Sequence, residues 1–176
     1  TPAPDIQLLS NSQYHLMLTV GGGGYSCWNN IALTRWRSDT TRDNWGAFCY
    51  IRDMQTGNVW SNTWQPTGNA SEHEEEVIFT DASAEFRRTF GGLSVKTQIV
   101  ISPEDDIELR RLTLIHRGRQ PRSLELTTYA EVVLAPYASD LAHPAFSNLF
   151  IQTELEPERD AILCHRRPRT PDEPSP

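Results

Sequence analysis

Hydrophobic and polar residues alternate along much of this chain with the two-residue period of a β-strand. The clearest example is 93–101, where odd positions are mostly apolar and even positions mostly polar. Because successive side chains of a strand point to opposite faces, this run predicts a strand with one buried face. Residues 84–90 form a similar run, and Gly91-Gly92 separates the two. Two-residue hairpin turns require positive φ, so the glycine pair predicts a tight hairpin.

The phase of the alternation changes once, in the middle of a strand-like segment. Ile107 and Leu109 occupy odd positions, whereas Leu112 and Leu114 occupy even ones. A β-bulge adds one residue to a strand and would bring all four side chains onto one face. We therefore expect a bulge at Arg110-Arg111.

Other segments of strand composition are separated by turn residues or irregular sequence. The further predicted strands are 48–53, 59–64, 124–134, 149–155 and 161–165, with a turn at 55–58 between the first two. Helical patterns are scarce, and 135–148 reads as a loop too long for an ordinary hairpin connection. Long strands with short connections predict an all-β, antiparallel sandwich.

Composition and charge narrow the class of protein. With 176 residues, 38% of them apolar and 22% charged, the chain suits one globular domain. A net charge of -7 argues against a nucleic-acid partner, which would need a basic face. Three cysteines without a Cys-x-x-Cys pattern suit free thiols in a reducing compartment, so we predict a cytoplasmic location. Because the chain starts at Thr1, we interpret it as a piece of a longer protein, which can carry an inner-membrane anchor elsewhere.

The first third of the chain concentrates glycine and aromatic residues. Four consecutive glycines at 21–24 precede Tyr25, and all five tryptophans lie between Trp28 and Trp64. Glycines let a backbone approach a partner closely, and flat indole rings suit contact with a sugar ring. The alternative interpretation, in which the tryptophans are core residues, stays open.

Two Arg-Asp pairs, Arg42-Asp43 and Arg52-Asp53, lie near these tryptophans. An arginine can donate two parallel hydrogen bonds to a carboxylate and so lock a loop. We interpret the pairs first as loop braces and second as ligand contacts.

Known catalytic and cofactor motifs are absent from the sequence. It has no His-Glu-x-x-His, no P-loop and no Gly-x-Ser-x-Gly. The five histidines are dispersed, and the adjacent acids at 104–106 are not placed to flank a glycosidic bond from opposite sides. The sequence therefore predicts no catalytic residue, metal or cofactor in this chain.

Short motifs follow one another along nearly the whole chain. In chain order they are 7–14, 22–28, 34–39, 41–43, 50–53, 57–61, 102–111, 128–134 and 142–150. Together they resemble the N-terminal β-sandwich domain of glycoside hydrolase family 94, formerly grouped as glycosyltransferase family 36. The similarity is greatest to the phosphorylase-like region of the cyclic β-1,2-glucan synthases.

The resemblance implies an antiparallel β-supersandwich of the galactose-mutarotase type, assigned here to 1–166. In the family, a helical linker and an (α/α)6 barrel carrying the general acid follow this domain. We accordingly expect the Pro-rich 167–176 to be a linker toward a barrel that this chain lacks, and the chain to be non-catalytic. Its expected partners are the parent's barrel domain, a second copy in a homodimer, and a β-linked glucan or gluco-oligosaccharide that the chain alone binds weakly.

The same resemblance places two loops, 21–28 and 143–148, at the rim of the parent's active site. Cys27 departs from the family pattern, in which a larger polar or charged residue is expected. The residues expected to contact substrate are Gly23, Gly24, Tyr25, Trp28, Arg42, Asp43, His143, Phe146 and Asn148.

Two other functions stay open at this point. The clustered tryptophans and polar loops also fit a self-sufficient carbohydrate-binding module. A sugar-1-epimerase, suggested by fold analogy alone, would need a histidine acid and a glutamate base, for which His143 and Glu131 are the candidates. A domain that normally contacts a barrel is also expected to expose a sizeable apolar patch available for dimerisation.

Overall fold

The computed structural model describes residues 5–39, 41–69 and 75–168. Strands dominate this part of the chain, which confirms the predicted all-β, antiparallel fold. The strands are β1 (Ile6–Ser10), β2 (Tyr14–Thr19), β3 (Gly24–Trp28), β4 (Ile31–Thr34), β5 (Phe48–Asp53), β6 (Val59–Ser61), β7 (Glu76–Thr80), β8 (Ser83–Phe90), β9 (Leu93–Ile101), β10 (Glu108–His116), β11 (Leu124–Tyr129), β12 (Val132–Pro136), β13 (Ile151–Glu156) and β14 (Ala161–Arg166). The helices are α1 (Tyr137–Ala142), α2 (Pro144–Asn148) and a 3-10 turn at Pro157–Arg159.

The strands form four antiparallel sheets within the described residues. Their strand orders are β1-β2-β3-β4-β12, β10-β9-β8-β7, β11-β5-β6 and the hairpin β13-β14. None of the helices described is long and apolar enough to cross a membrane. Most of the predicted linker, 169–176, lies outside the described residues.

The four-stranded sheet contributes one face to two hydrophobic clusters. The first contains Leu9, Leu16 and Leu18 from the five-stranded sheet with Ala84, Phe86 and Ile99 from the four-stranded sheet. The second contains Ile51 and Trp60 from the three-stranded sheet with Leu93 and Val95. Each large apolar side chain buried in this way contributes about 1.5–3 kcal/mol. The four-stranded sheet therefore joins the two sheets that carry the candidate site.

The hairpin predicted at Gly91-Gly92 is confirmed. Phe90 pairs with Leu93 across the turn, and the two glycines have φ of 58° and 71°. Odd positions of β9 are buried from Leu93 to Ile99, as their alternation predicts.

The bulge predicted at Arg110-Arg111 is wrong. Strand β10 pairs with β9 in continuous register from Glu108 to His116. Its inward face carries Glu108 and Arg110 ahead of the two leucines, while Leu109 is 51% exposed. The inward charges are tolerated because both are paired and hydrogen-bonded.

Glu108 is surrounded by donors from the five-stranded sheet and from its own strand. The hydroxyls of Tyr14 and Ser26 donate to its Oε2 at 2.9 and 2.6 Å. Arg110 donates to Glu108 Oε1 and, at 2.6 Å, to the carbonyl of Ala47. Burial alone would raise the pKa of Glu108, but Arg110 and the two hydroxyls outweigh it and the pKa is lowered. Burial and the neighbouring carboxylate raise the pKa of Tyr14.

The predicted strand 124–134 is divided between two sheets. Strand β11 pairs with β5, and after two residues β12 pairs with β4 in the five-stranded sheet. The bulge in this region lies between Val132 and Ala135, where Leu134 has φ of 49°. The segment 135–148, predicted to be a loop, instead completes β12 and forms α1 and α2. The predicted strand 59–64 ends early, at Ser61.

Large apolar side chains are exposed on several elements. Examples are Leu8 on β1, Leu126 on β11, Leu141 on α1, and Leu155 and Ile162 on the β13-β14 hairpin. The described surface is therefore not uniformly polar.

Candidate functional site

The glycine turn between β2 and β3 packs against other segments of the same chain. Gly24 donates its N–H to the carbonyl of Trp45 at 2.8 Å, and the Gly21 carbonyl accepts from Gln65 at 2.8 Å. Gly22 has φ of +89°, and a Cβ there would collide with the side chain of Thr63. The close approach that glycine permits is thus used within the fold, and Gly23 and Gly24 are buried.

Asp43 lies directly beneath this turn. A Cβ on Gly23 would collide with its carboxylate, and the Thr19 hydroxyl donates to it. Burial raises the pKa of Asp43, and the hydrogen bond from Thr19 opposes that shift. Arg42 is exposed.

The acid of the second Arg-Asp pair braces a loop, but through a more distant arginine. Asp53 is buried and accepts hydrogen bonds from two guanidinium nitrogens of Arg122. It also accepts the backbone N–H groups of Gln55 and Thr56 at 2.8 and 3.2 Å, which fixes the β5-β6 turn. Arg122 and then these N–H groups lower the pKa of Asp53. Arg52 is exposed on β5.

The five tryptophans include both core residues and residues exposed enough to contact a ligand. Trp60 is completely buried and stacks on Phe90 at 4.9 Å between ring centroids. Trp28 and Trp64 are 37% and 41% exposed, and Trp36 and Trp45 are half-buried. The indole N–H of Trp28 donates to Asp106 Oδ2 at 2.6 Å.

An apolar pocket lies between the predicted loop 21–28 and the start of α1. Tyr25 packs on Trp36 with ring centroids 5.7 Å apart. With Tyr137 at the start of α1, and with Cys27, they line a pocket of about 320 Å³. Tyr25 of the loop 21–28 and Tyr137 of the segment 135–148 therefore line the same pocket.

A buried arginine holds the segment 137–148. Arg35 donates from Nε and Nη2 to both carboxylate oxygens of Asp140, at 3.1 and 2.7 Å. It also donates to Glu131 Oε2 at 2.7 Å and to Asn148 Oδ1 at 2.6 Å. Arg37 adds a bond to Asp140 at 3.1 Å. Hydrogen bonding to Asp140 raises the pKa of Arg35, so its guanidinium stays charged.

Of the predicted residues of the second loop, Asn148 is the one shown to bond to this arginine network. His143 is exposed between α1 and α2. Phe146 is half exposed and packs edge-on against Phe150 at 5.1 Å. The carboxylate of Glu131, the other half of the epimerase pair, is engaged by Arg35 and by the Tyr129 hydroxyl.

A polar cleft beside Glu131 was missed by the sequence reasoning. Its volume is about 230 Å³, and an adjoining pocket of about 480 Å³ shares Tyr129 and Glu131 with it. Burial and the Glu131 carboxylate raise the pKa of Tyr129, so its hydroxyl stays a donor. The side chains that line it include Arg35, Asn44, Trp45, Tyr50, Tyr129 and Glu131. Residues 34–37 and 50–53 are motifs of the sequence, but their meeting at one cleft depends on long-range strand pairing.

Across residues 5–39, 41–69 and 75–168, no group of three or more His, Cys, Asp or Glu side chains is arranged to hold a metal ion. The chemistry of the clefts is thus that of aromatic rings, hydroxyls, an amide and arginine-paired carboxylates.

The chain matches the family Glycosyl hydrolase 94, supersandwich domain, over residues 1–176. It is 40% identical over 167 residues to the cyclic beta-(1,2)-glucan synthase NdvB of Rhizobium meliloti (strain 1021), which is 95% of this chain and 6% of that protein. It is 27% identical over 143 residues to the N,N'-diacetylchitobiose phosphorylase of Vibrio furnissii, covering 79% of this chain and 18% of the relative.

A third relative is the solabiose phosphorylase of Paenibacillus borealis, 22% identical over 171 residues, covering 94% of this chain and 22% of the relative. The chain thus spans less than a quarter of the length of each of these curated relatives. The family resemblance read from the motifs is confirmed. This chain belongs to the glycosyl hydrolase 94 supersandwich-domain family.

Proposed function

We propose that this chain is a non-catalytic domain of a β-glucan phosphorylase or of an enzyme of the cyclic-glucan-synthase type. In this proposal it supports a catalytic (α/α)6 barrel and lines the rim of the barrel's active site. The names of the relatives support a parent that acts on β-linked sugars, since they include a cyclic beta-(1,2)-glucan synthase and phosphorylases.

The observation that carries the proposal is the pairing of the carboxylates in and near the clefts. Glu131 and Asp140 are bonded to Arg35, and Glu108 is bonded to Arg110. The carboxylic acid that acts as general acid in a glycosidase must be kept protonated by its surroundings. A neighbouring cation favours the ionised carboxylate instead. These acids are therefore suited to bracing strands and loops, which is what a supporting domain requires.

The predicted substrate-contacting residues take two roles in this proposal. Gly23, Gly24 and Asp43 set the shape of the turn, because they are buried or half-buried against each other and against Trp45. The residues proposed to reach the rim are Tyr25, Trp28, Arg42, His143, Phe146 and Asn148.

Assaying phosphorolysis with the chain alone tests the non-catalytic role. β-1,2- and β-1,4-linked gluco-oligosaccharides are incubated with inorganic phosphate, and released sugar 1-phosphate is measured. We expect release at the rate of the protein-free control. Turnover at an enzyme-like rate of about 1 s⁻¹ or more would refute the proposal.

Location and self-association are further parts of the proposal. Cys27, Cys49 and Cys164 are free thiols, which supports a reducing, cytoplasmic compartment. Exposed apolar residues such as Leu8 and Leu141 support contacts with a barrel or a second copy. Sedimentation analysis at increasing concentration measures the homodimer directly.

The specific observation for the second candidate, a carbohydrate-binding module, is the polar cleft beside Glu131. It unites three aromatic rings with an amide and a carboxylate. Such a combination buries the C–H face of a sugar and binds its hydroxyls.

A further inference from the structure

We infer that the cleft between Trp45, Tyr50 and Tyr129 is a binding site for a segment of β-linked glucan chain. The inference rests on the carbohydrate-related function proposed above. It places the main sugar contacts at Trp45, Tyr50 and Tyr129, which the sequence did not predict as substrate contacts. The sugar is thereby assigned to a preformed cleft and not to the glycine turn between β2 and β3.

Three aromatic side chains, those of Trp45, Tyr50 and Tyr129, line the cleft. Tyr50 and Tyr129 lie edge to face, with centroids 6.4 Å apart and planes at 68°. The two rings come from β5 and β11, which are paired through six residues, so their separation is fixed by the sheet. Trp45 forms a further wall, and its backbone is held by Gly24. The rings therefore present preformed apolar surface with little ordering cost on binding.

Polar groups in the cleft are available for sugar hydroxyls. The Asn44 amide, the Trp45 indole N–H and the Tyr50 hydroxyl form no side-chain hydrogen bond with another residue that the structure describes. Glu131 offers acceptor capacity beside them and is one-third exposed. Its charge is balanced by Arg35, so the cleft suits an uncharged, hydroxyl-rich ligand.

The shape of the surface favours an extended ligand over a single sugar. The 230 Å³ cleft and the 480 Å³ pocket meet at Tyr129 and Glu131. The second pocket continues past Asn148 to Ile151 and Thr153 on β13. An oligosaccharide lying across Tyr129 would occupy both, with Asn148 held in place by Arg35.

The other aromatic pocket has a different chemistry. Tyr25, Trp36 and Tyr137 line it together with Cys27 and Ala32, and its walls are mostly apolar. The Thr34 hydroxyl at its edge already accepts the Ser26 N–H at 2.9 Å. That pocket fits an apolar protein segment better than a saccharide, so the sugar is assigned to the cleft beside Glu131.

Calorimetric titration of the 176-residue chain tests the assignment. The probes are a β-1,2-linked glucopentaose, cellopentaose and the α-linked maltopentaose. We expect saturable binding of a β-linked probe, weakened about tenfold or more by Trp45→Ala and by Tyr50→Ala. Trp64→Ala, which removes an exposed tryptophan outside this cleft, should leave the affinity unchanged.

A variant that loses binding by unfolding is distinguished by its circular dichroism and melting temperature. Asn44→Ala provides the second test, because Asn44 is exposed and its loss should weaken binding several-fold without changing the melting temperature. Equal binding of maltopentaose, equal loss in Trp64→Ala, or no binding of any probe would each overturn the inference. None of these outcomes alters the expected absence of phosphorolysis, so the two proposals fail separately.

Discussion

Arg35 and Asp140 are 105 residues apart in sequence and form a buried, two-point ion pair. The guanidinium follows the end of β4, and the carboxylate lies in α1. Because the same arginine also binds Glu131 and Asn148, one side chain fixes the start of β12 and both short helices. Removing it would leave Asp140 buried, with Arg37 as its one remaining cationic partner among the described residues.

We expect Arg35→Met to lower the free energy of unfolding by about 3–5 kcal/mol, since it leaves a buried charge poorly compensated. Arg35→Lys should recover only part of this loss, because an ammonium group lacks the planar fork that meets both oxygens of Asp140. Urea unfolding followed by circular dichroism measures both values.

The matched control is Arg87→Met. Arg87 is 47% exposed and paired with Glu76 and Glu85 on the surface, so its loss should cost less than about 1 kcal/mol. Similar losses in Arg35→Met and Arg87→Met would contradict the role given to Arg35.

Gly22→Ala should destabilise the chain more than Gly57→Ala. Both glycines have positive φ, +89° and +76°, so an alanine at either site costs about 1–2 kcal/mol in backbone strain. Only at Gly22 would the new Cβ collide with another side chain, that of Thr63, whereas nothing lies within 4 Å at Gly57. Overpacking adds about 1–3 kcal/mol. Equal melting temperatures for the two variants would show that the turn is loosely packed.

Asp53→Asn should make the melting temperature less dependent on pH in acid. The folded-state pKa of Asp53 is lowered by Arg122, so its contribution is complete above the unfolded value of about 3.9. It is lost as the pH falls through the lower folded-state pKa. The variant should therefore melt below the original chain at pH 7, and the difference should shrink at pH below about 3.9.

Thermal melts from pH 7 to pH 2.5 measure this difference. Asp81→Asn, in the exposed turn between β7 and β8, is the control and should leave the melting temperature unchanged throughout. A gap between Asp53→Asn and the original chain that is constant across this range would rule out the ion pair as its cause.

Trp60→Ala should cost about 3–5 kcal/mol, because Trp60 has no exposed surface and stacks on Phe90 in the core. Trp64→Ala should cost clearly less than Trp60→Ala, because Trp64 is 41% exposed and loses less buried apolar area. Denaturant unfolding of the pair separates the structural tryptophan from the surface one. A small loss at Trp60 would mean that the second hydrophobic cluster is less closely packed than its contacts indicate.

Local patterns were sufficient for the hairpin of β8 and β9. Its determinants, the alternation in 93–101 and the two glycines of the turn, all lie within a few residues of each other. The strand 48–53 was predicted with its correct limits for the same reason.

The orientation of β10 could not be derived in this way. Leucines on both faces left the inward face undecided, and the deciding contacts come from Tyr14, Ser26 and Ala47 in distant segments. The partner of Asp53 was equally non-local, since Arg122 approaches it across the β5-β11 pair.

For the candidate site too, the sequence indicated the individual motifs but not how they meet in space. Aromatic and charged motifs were visible in the sequence, but the cleft of Trp45, Tyr50, Tyr129 and Glu131 exists only once β5 and β11 pair. The sequence of 124–134 did not indicate that the chain passes from one sheet to another near Ala130, because no glycine or proline marks that point.

The β13-β14 hairpin should be less stable locally than the larger sheets. It projects side chains such as Leu155 and Ile162, 73% and 64% exposed, and Arg166 at its base bonds to the carbonyls of Val133 and Ser147. Two strands alone are marginally stable in water. Amide hydrogens at the hairpin tip should therefore exchange long before those of β9. Among the described residues, we expect this hairpin to be an early site of proteolytic cleavage and of contact between neighbouring copies.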